Sequence, residues 1–154
     1  MQITMSSDPR LSAATLTLDD FLGTIQDEGD ASMTDSVIES LRENPEWLQF
    51  DEHELLRPQH GYKLRYNVPN DSHCAYLLFH GEMVGLFHET DSLIVHSEHW
   101  GNGLGKELVL AAFAQRRWTS PSRKATAAGR KALEDAHKLA RALQLEWRMA
   151  ALAE

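Results

Sequence analysis

Cysteine and long apolar runs are scarce in this sequence. The single cysteine, Cys74, cannot close a disulfide within the chain, so nothing favours an oxidising compartment. No apolar run approaches the roughly 20 residues that a membrane-spanning helix needs. Residues 1–10 lack the basic flank and the apolar stretch of a signal peptide. We therefore expect a cytoplasmic protein with no membrane partner.

The composition is that of an ordinary globular protein. Hydrophobic residues make up 42% and charged residues 25% of the 154 residues, which excludes the disordered and membrane classes. A chain of this length is long enough for one domain with a substantial core and too short for two comfortable ones. One domain is therefore expected.

The net charge of -8 is unevenly distributed along the chain. Acidic residues dominate residues 17–56, where Arg42 is the one Lys or Arg, whereas bases outnumber acids in residues 100–154. An anionic ligand would therefore be drawn to the C-terminal third. Solvated helix faces are the plainer interpretation of both segments. Several C-terminal bases could contact the phosphates of coenzyme A or of nucleic acid, although no DNA-reading motif accompanies them: Arg123, Lys124, Arg130, Lys131, Lys138 and Arg141.

Two N-terminal segments have helical periodicity. Apolar side chains recur at spacings of three and four in residues 18–29. The same spacing occurs in residues 34–50, where Thr34 or Asp35 would cap the start of the helix and Pro45 would break or restart it. Both segments are predicted to be helical.

From residue 60 onward the periodicity becomes that of strands. "YKLRYNV" (62–68) alternates apolar and polar residues, "CAYLLF" and "MVGLFH" flank a tight turn at His80-Gly81, and "SLIVH" is a further apolar run. The sheet edge at 62–68 is expected to be free, and a second copy could pair there to form a homodimer. The pattern predicts a single α+β domain over 1–154, with an acidic helical N-terminal part at 1–58, the sheet and a glycine-motif helix at 60–117, and a C-terminal helix at 125–150.

The stretch "HSEHWGNGLGKEL" (96–108) places glycines at 101, 103 and 105 between an apolar strand and a helical pattern. The N-terminus of a helix has unpaired N–H groups and a partial positive charge, so it binds phosphate wherever side chains leave it open. Glycines remove those side chains and permit positive φ angles. A strand-to-helix turn also favours glycine, so the spacing alone fits either a phosphate site or a simple turn.

Residues 76–113 resemble the core of the GNAT acyltransferase superfamily. In that family a hairpin of the form xGxxVG precedes a strand that ends in V-x-x-x-x-[RW]-G-x-G-[IL]-G and a helix. This chain has "HGEMVGLF" and then "LIVHSEHWGNGLGKELV". The resemblance implies a mixed, mainly antiparallel sheet flanked by helices, in which two adjacent strands splay apart around the pantetheine arm of acetyl-CoA. It implies an N-acyltransferase with acetyl-CoA as the acyl donor.

The same resemblance implies where the cofactor binds. The pyrophosphate would lie on the main-chain amides of Gly101, Asn102, Gly103, Leu104, Gly105 and Lys106. Main-chain groups of Ile94, Val95 and His96 would hold the pantetheine amides and face the thioester carbonyl. Trp100 stands where the family usually has Gln or Arg, and "WTSPSRKAT" (118–126) is a poor strand sequence. We therefore expect a sheet that is truncated at its C-terminal strands.

Acyl transfer to an amine needs a base, because only a neutral amine attacks a thioester. Glu98 and His96 follow the strand "SLIV", and a spacing of two would put them on one face if the strand continued that far. We expect one of these two residues to be the catalytic base. His88 and Glu89 lie near the same end of the sheet.

No metal site is expected. His96 and His99 are three residues apart, but zinc sites require three or four ligands, and no HExxH or CxxC motif accompanies the pair. His137 falls in the C-terminal helical pattern and is expected to be a packed or surface residue.

Two functions of different classes remain open. The first is an acyltransferase whose acceptor amine is carried by a small molecule or a macromolecule, with the acidic segment 17–56 as a lid that favours a cationic amine. The second is a GNAT-like binding protein that has lost catalysis and acts through a protein or nucleic-acid partner. The lack of any tyrosine after Tyr76, where the family often has its acid, favours the second.

Overall fold

The structure is a computed structural model that describes residues 8–27, 34–68, 74–88, 92–115 and 122–153. Its helices are α1 (Leu18–Leu22), α2 (Thr34–Leu41), α3 (Leu104–Gln115) and α4 (Ala127–Leu152). Its strands are β1 (Thr24–Asp27), β2 (Asp51–His53), β3 (Tyr62–Tyr66), β4 (Cys74–Phe79), β5 (Glu82–His88), β6 (Ser92–Val95) and β7 (Ser122–Ala125). Single 3-10 segments lie at Pro9–Thr15, Pro45–Gln49 and Ser97–His99.

Five strands form one antiparallel sheet in the order β2-β3-β4-β5-β6. The predicted strands and the predicted hairpin are confirmed, and the hairpin turns at His80 and Gly81 with φ angles of 50 and 85. Two positive φ angles are what the commonest two-residue hairpin turn requires. The α+β class with a mainly antiparallel sheet is therefore as expected.

A second, two-stranded sheet corrects the expectation that residues 118–126 lack a strand, although the five-stranded sheet itself ends at β6. β7 pairs in parallel with β1, from Thr24 opposite Ser122 to Asp27 opposite Ala125. The segment 118–126 therefore does contain a strand, because strand propensity depends on context and β1 supplies main-chain partners whatever the side chains are; residues 118–121 lie outside the described residues. Cα atoms of β7 come within 8 Å of those of β6, yet no ladder joins the two strands.

Helices cover both faces of the five-stranded sheet. α3 packs on one face, with α4 and the segment Pro9–Thr15 behind it, and α2 packs on the other face. Alternation along β4 serves both layers, since Leu77 belongs to the core on the α3 side and Leu78 to the core on the α2 side. The middle of α3, from Leu108 to Ala112, is 0% exposed. Packing therefore fixes α3 and, with it, the position of its N-terminus.

The prediction of a helix over 18–29 is wrong beyond Leu22. Gly23 ends α1 with φ 63 and ψ -147, a backbone region that is essentially restricted to glycine. The chain then enters β1, so that Ile25 lies in a strand. Pairing with β7 outweighs the helical spacing here. The predicted break at Pro45 is confirmed, since α2 ends at Leu41 and a 3-10 segment begins at Pro45.

Gly23→Ala is expected to lower the free energy of unfolding by about 1–3 kcal/mol, because a Cβ is poorly tolerated at this φ and ψ. Denaturant unfolding measures the loss. Asp20→Asn changes an exposed residue of the same short helix and should alter stability by less than about 0.5 kcal/mol. An alanine variant as stable as the parent would contradict the conformation described for Gly23.

β2 covers the sheet edge that was expected to be free. It pairs along β3 from Asp51 opposite Tyr66 to His53 opposite Leu64. The prediction of a free edge at 62–68 is therefore wrong, because a strand of 3 residues is too short to be recognised from its side chains. The homodimer that was expected to form through this edge loses its basis.

α4 confirms the predicted C-terminal helix to within two residues at each end. The Thr126 side chain caps its start by accepting the N–H of Gly129. His137, midway along the helix, is buried, and its Nε2 donates to the carbonyl of Leu16 at 2.7 Å. This histidine is therefore a packed residue that attaches the N-terminal segment to α4. None of the described helices combines the length and the apolar character needed to cross a bilayer.

Candidate functional site

The chain turns sharply after β6. The strand ends at Val95, and the side chain of His96 starts the 3-10 turn Ser97–His99 by accepting the N–H of Glu98 on its Nδ1 at 3.3 Å. The expectation that His96 and Glu98 share a strand face is wrong, because the strand stops before both residues. The turn nevertheless brings them together, with Glu98 Oε2 3.7 Å from His96 Nδ1.

The loop between this turn and α3 presents open main-chain donors. Gly101 and Gly103 have φ angles of 84 and 69, which lie in the left-handed region that glycine adopts freely. Residues 101–103 are exposed. Within the part of the chain that is described, no acceptor is bound to the main-chain amides of residues 101–106. The glycine loop that precedes the helix is therefore open to solvent, whereas Leu104, the first residue of α3, is only 2% exposed.

Glycine at position 105 has a different structural role from the glycines at positions 101 and 103. A Cβ at Gly105 would come 3.0 Å from the Cβ of Ala132, so this glycine allows α3 and α4 to pack closely. A Cβ at Gly101 would meet nothing within 4 Å, and one at Gly103 would meet only the side chain of Lys106, with Nζ at 3.4 Å. Close packing thus explains Gly105, whereas the loop glycines border open space and one ammonium group.

Two side chains hold the glycine loop against the end of the sheet. Tyr62 Oη lies 2.6 Å from His99 Nδ1, and Gln59 Nε2 donates to the carbonyl of Asn102 at 3.0 Å. Burial lowers the pKa of His99, which favours a neutral ring that shares one hydrogen bond with the tyrosine hydroxyl. Neither Tyr62 nor Gln59 could be assigned to the site from the sequence, because both contacts depend on how β3 and the loop meet in the fold.

His96 lies under the acidic helix α2. It is 5% exposed, and its Nε2 is 3.0 Å from Glu39 Oε2 and 3.9 Å from Asp35 Oδ2. Because Nδ1 accepts a main-chain N–H, Nε2 is the ring nitrogen that donates, and its acceptor is Glu39. Both ring nitrogens are therefore engaged, which makes His96 a positioning residue rather than a free base.

Three carboxylates surround this histidine, and they differ in what they bind. Asp35 accepts both the N–H and the hydroxyl of Ser97; the hydroxyl contact in particular lowers the pKa of Asp35. Glu39 is bound to His96. The side chain of Glu98 is 78% exposed, and its carboxylate forms no hydrogen bond within the described residues. Of the three, Glu98 is the one that is free to accept a proton from a ligand.

The outer edge of β6 also offers main-chain groups. The N–H of His96 donates to the carbonyl of Val84 at 2.8 Å, and Ile94 stands opposite Leu86 in the same register. Antiparallel ladders alternate, so the main chains of His96 and Ile94 face β5, and that of Val95 faces the other edge. Of the three main-chain contacts expected for pantetheine, only the one at Val95 has the required direction.

The remaining candidates add little to this site. Glu89 lies outside the described residues, and for His88 only the strand backbone is described. His96 and His99 bind different partners, and the described residues contain no group of His, Cys, Asp or Glu side chains that could hold a metal ion. Among the C-terminal bases, Lys131 pairs with Asp135 of the same helix at 3.0 Å.

Comparison with known proteins returns no relative: no family model, no curated protein and no solved structure matches the chain significantly. The chemistry of the site must therefore be argued from its own geometry.

Proposed function

We propose that this chain is an acyl-CoA-dependent N-acyltransferase, with acetyl-CoA as the donor and a primary amine as the acceptor. The exposed glycine loop at residues 101–103 and the main-chain amides at the start of α3, which have no acceptor among the described residues, are the observation that supports the proposal. Such donors at a helix N-terminus suit a diphosphate, since the helix dipole favours negative charge. Lys106 adds an ammonium group beside Gly103. The GNAT-like order of strand, glycine loop and helix supports the same ligand.

The rest of the donor would follow the edge of β6. Val95 faces away from β5 and toward the gap beside β7, so an extended arm that carries amides could bind there as a strand would. We infer that the arm would run along this edge and bring its far end toward the turn that contains Glu98. The donor would thus have its charged part at α3 and its thioester near the carboxylates.

The acceptor would approach from the side of α2. Asp35, Glu39 and Glu98 lie around His96 and make this side negative, so it would attract a cationic amine. Glu98 would first take a proton from the ammonium group to give the neutral amine, whose nitrogen then bonds to the thioester carbon. As the carbon–sulfur bond breaks, the second proton of the amine would pass to the departing thiolate of coenzyme A or to solvent. Positioning of the two substrates would supply much of the rate.

Two observations favour a second function, which is binding of acyl-CoA without transfer of the acyl group. Both nitrogens of His96 are engaged, and the family's usual acid is absent after Tyr76. A protein with these features could keep the acyl-CoA site and act through a protein or nucleic-acid partner. Release of free thiol from acetyl-CoA in the presence of amines separates the two functions.

Acetyl-CoA is expected to raise the melting temperature of the protein. A ligand at a hundred times its Kd adds about 2.7 kcal/mol of stability, which corresponds to several degrees for a domain of this size. Differential scanning fluorimetry over a concentration series measures the shift. Absence of any shift up to millimolar acetyl-CoA would overturn the proposed function.

A pair of loop variants tests whether the glycine loop is the site. Gly103→Asp should weaken acetyl-CoA binding at least about tenfold, because an aspartate before α3 caps the amides itself and repels the diphosphate. Aspartate also tolerates a positive φ, so the fold should survive. Asn102→Ala keeps every main-chain amide and should retain the shift. Equal shifts in both variants would remove the ligand from this loop.

A further inference from the structure

Trp100 is a large aromatic residue that is mostly exposed, yet its indole is held in one place. Its side chain lies on the surface with 62% of the residue exposed. The indole Nε1 donates to the carbonyl of Val95 at 2.6 Å. A tryptophan on the surface need not be anchored, so the acceptor that it uses is informative.

That acceptor belongs to the free edge of β6. The register turns the carbonyl of Val95 away from β5, and no ladder joins β6 to β7. The indole therefore occupies a main-chain acceptor at which an incoming extended chain would pair. It lies directly beside the donors of the glycine loop, which begins at Gly101.

We propose that Trp100 is a plug on the edge of β6 that an acyl-CoA must displace in order to bind. The inference rests on the proposed function and adds to it a residue that sets the affinity for the donor. The arm of coenzyme A carries secondary amides, whose N–H groups are the same kind of donor as the indole N–H. The indole lies at the edge position where the arm would pair with Val95, so binding of the arm there requires the indole to move away.

The surroundings allow the indole to leave without unfolding the loop. His99 is held by Tyr62, and Asn102 is held by Gln59, so the main chain on both sides of Trp100 is anchored. The adjacent Gly101 has no side chain, and a Cβ there would meet nothing within 4 Å. A rotation of the Trp100 side chain alone therefore clears the edge, and the phosphate donors stay in place.

Two probes distinguish the plug from the phosphate site. ADP carries a diphosphate but no pantetheine arm, whereas acetyl-CoA carries both. Trp100→Ala and Trp100→Phe remove the indole N–H, so both variants should bind acetyl-CoA about 3–10-fold more tightly, the factor that a net hydrogen bond is worth. Their affinity for ADP should match that of the parent. Isothermal titration calorimetry measures the Kd of each protein for acetyl-CoA and for ADP.

Trp147→Phe is the matched control, since Trp147 lies in α4 away from the loop. It should leave the affinities for acetyl-CoA and for ADP unchanged. Acetyl-CoA should change the tryptophan emission of the parent and of Trp147→Phe, but not that of Trp100→Phe.

Each result has one meaning. Unchanged or weaker binding of acetyl-CoA by both Trp100 variants, with binding by the parent, would overturn the plug and leave the proposed function standing. No binding of either probe by any of these proteins would overturn the proposed function and the plug together.

Discussion

Replacement of Glu107 by alanine is expected to lower the free energy of unfolding by about 2–4 kcal/mol. Glu107 lies in α3, is 0% exposed and accepts the main-chain N–H groups of Leu56 and Arg57 at 2.8 and 2.9 Å. These bonds fasten the segment between β2 and β3 to the central helix. Without the carboxylate, two amides lose their acceptor, and each unsatisfied donor costs about 1–3 kcal/mol.

Thermal unfolding should show this loss as a fall in melting temperature of roughly 5–15 °C for a domain of this size. Glu107→Gln keeps one carbonyl oxygen and should fall between the alanine variant and the parent. Glu43→Ala removes an exposed carboxylate and should change stability by less than about 0.5 kcal/mol. If Glu107→Ala has the same melting temperature as the parent, the carboxylate does not hold the segment between β2 and β3 in place.

The pH dependence of stability gives a further test of the same residue. Burial raises the pKa of Glu107 above its ordinary value of 4.5, even though the two amides act in the opposite direction. The unfolded chain therefore loses this proton at a lower pH than the folded chain does. The parent should lose stability relative to Glu107→Gln as the pH rises from about 4.5 through the raised pKa, and no further above it. A difference in stability between the parent and Glu107→Gln that stays constant over this pH range would contradict the raised pKa of Glu107.

The sequence predicted the strands and the long helices because their side chains repeat with a clear period. Alternate residues of β3 are buried, and most residues of β4, β5 and α3 are buried. Burial of this kind requires apolar residues at regular spacings, which the sequence shows. β1, β2 and β7 have no such signal, since each has at most 4 residues and forms through main-chain pairing with a distant segment. Their partners could be known only from the fold.

The candidate site, like the fold, was predicted only in part. The glycine loop lies between a strand and a helix as predicted, because these elements follow one another in the chain, whereas His96 and Glu98 lie in a turn and not on a strand face. The contacts of His96 with Glu39 and of His99 with Tyr62 join residues that are far apart in the chain. The sequence predicted His96 or Glu98 as the base, and it could not show that both ring nitrogens of His96 are engaged, because the contact with Glu39 depends on the fold.

Glu98→Gln is expected to lower kcat for acetyl transfer by about 100-fold or more, the usual effect of removing a general base. Asp35 is bound to Ser97 and Glu39 to His96, whereas the Glu98 carboxylate is exposed and free of hydrogen bonds within the described residues. Glutamine keeps the shape of the side chain but accepts no proton from an amine. Thiol release at saturating acetyl-CoA measures kcat, and the affinity for acetyl-CoA should not change, because the phosphate donors belong to the main chain of residues 101–106.

A chemical rescue separates catalysis by Glu98 from a structural role. Formate added to Glu98→Ala should restore part of the rate, since a small carboxylate can occupy the vacated space and take the proton, whereas a merely structural defect would not respond. Glu43→Gln removes an exposed charge away from the site and should keep the full rate. A Glu98→Gln variant with the parent's kcat would remove Glu98 as the base. Acetyl-CoA binding by a parent protein that releases no thiol with any amine would instead favour binding without transfer, since the donor site would then be intact and the proton acceptor unused.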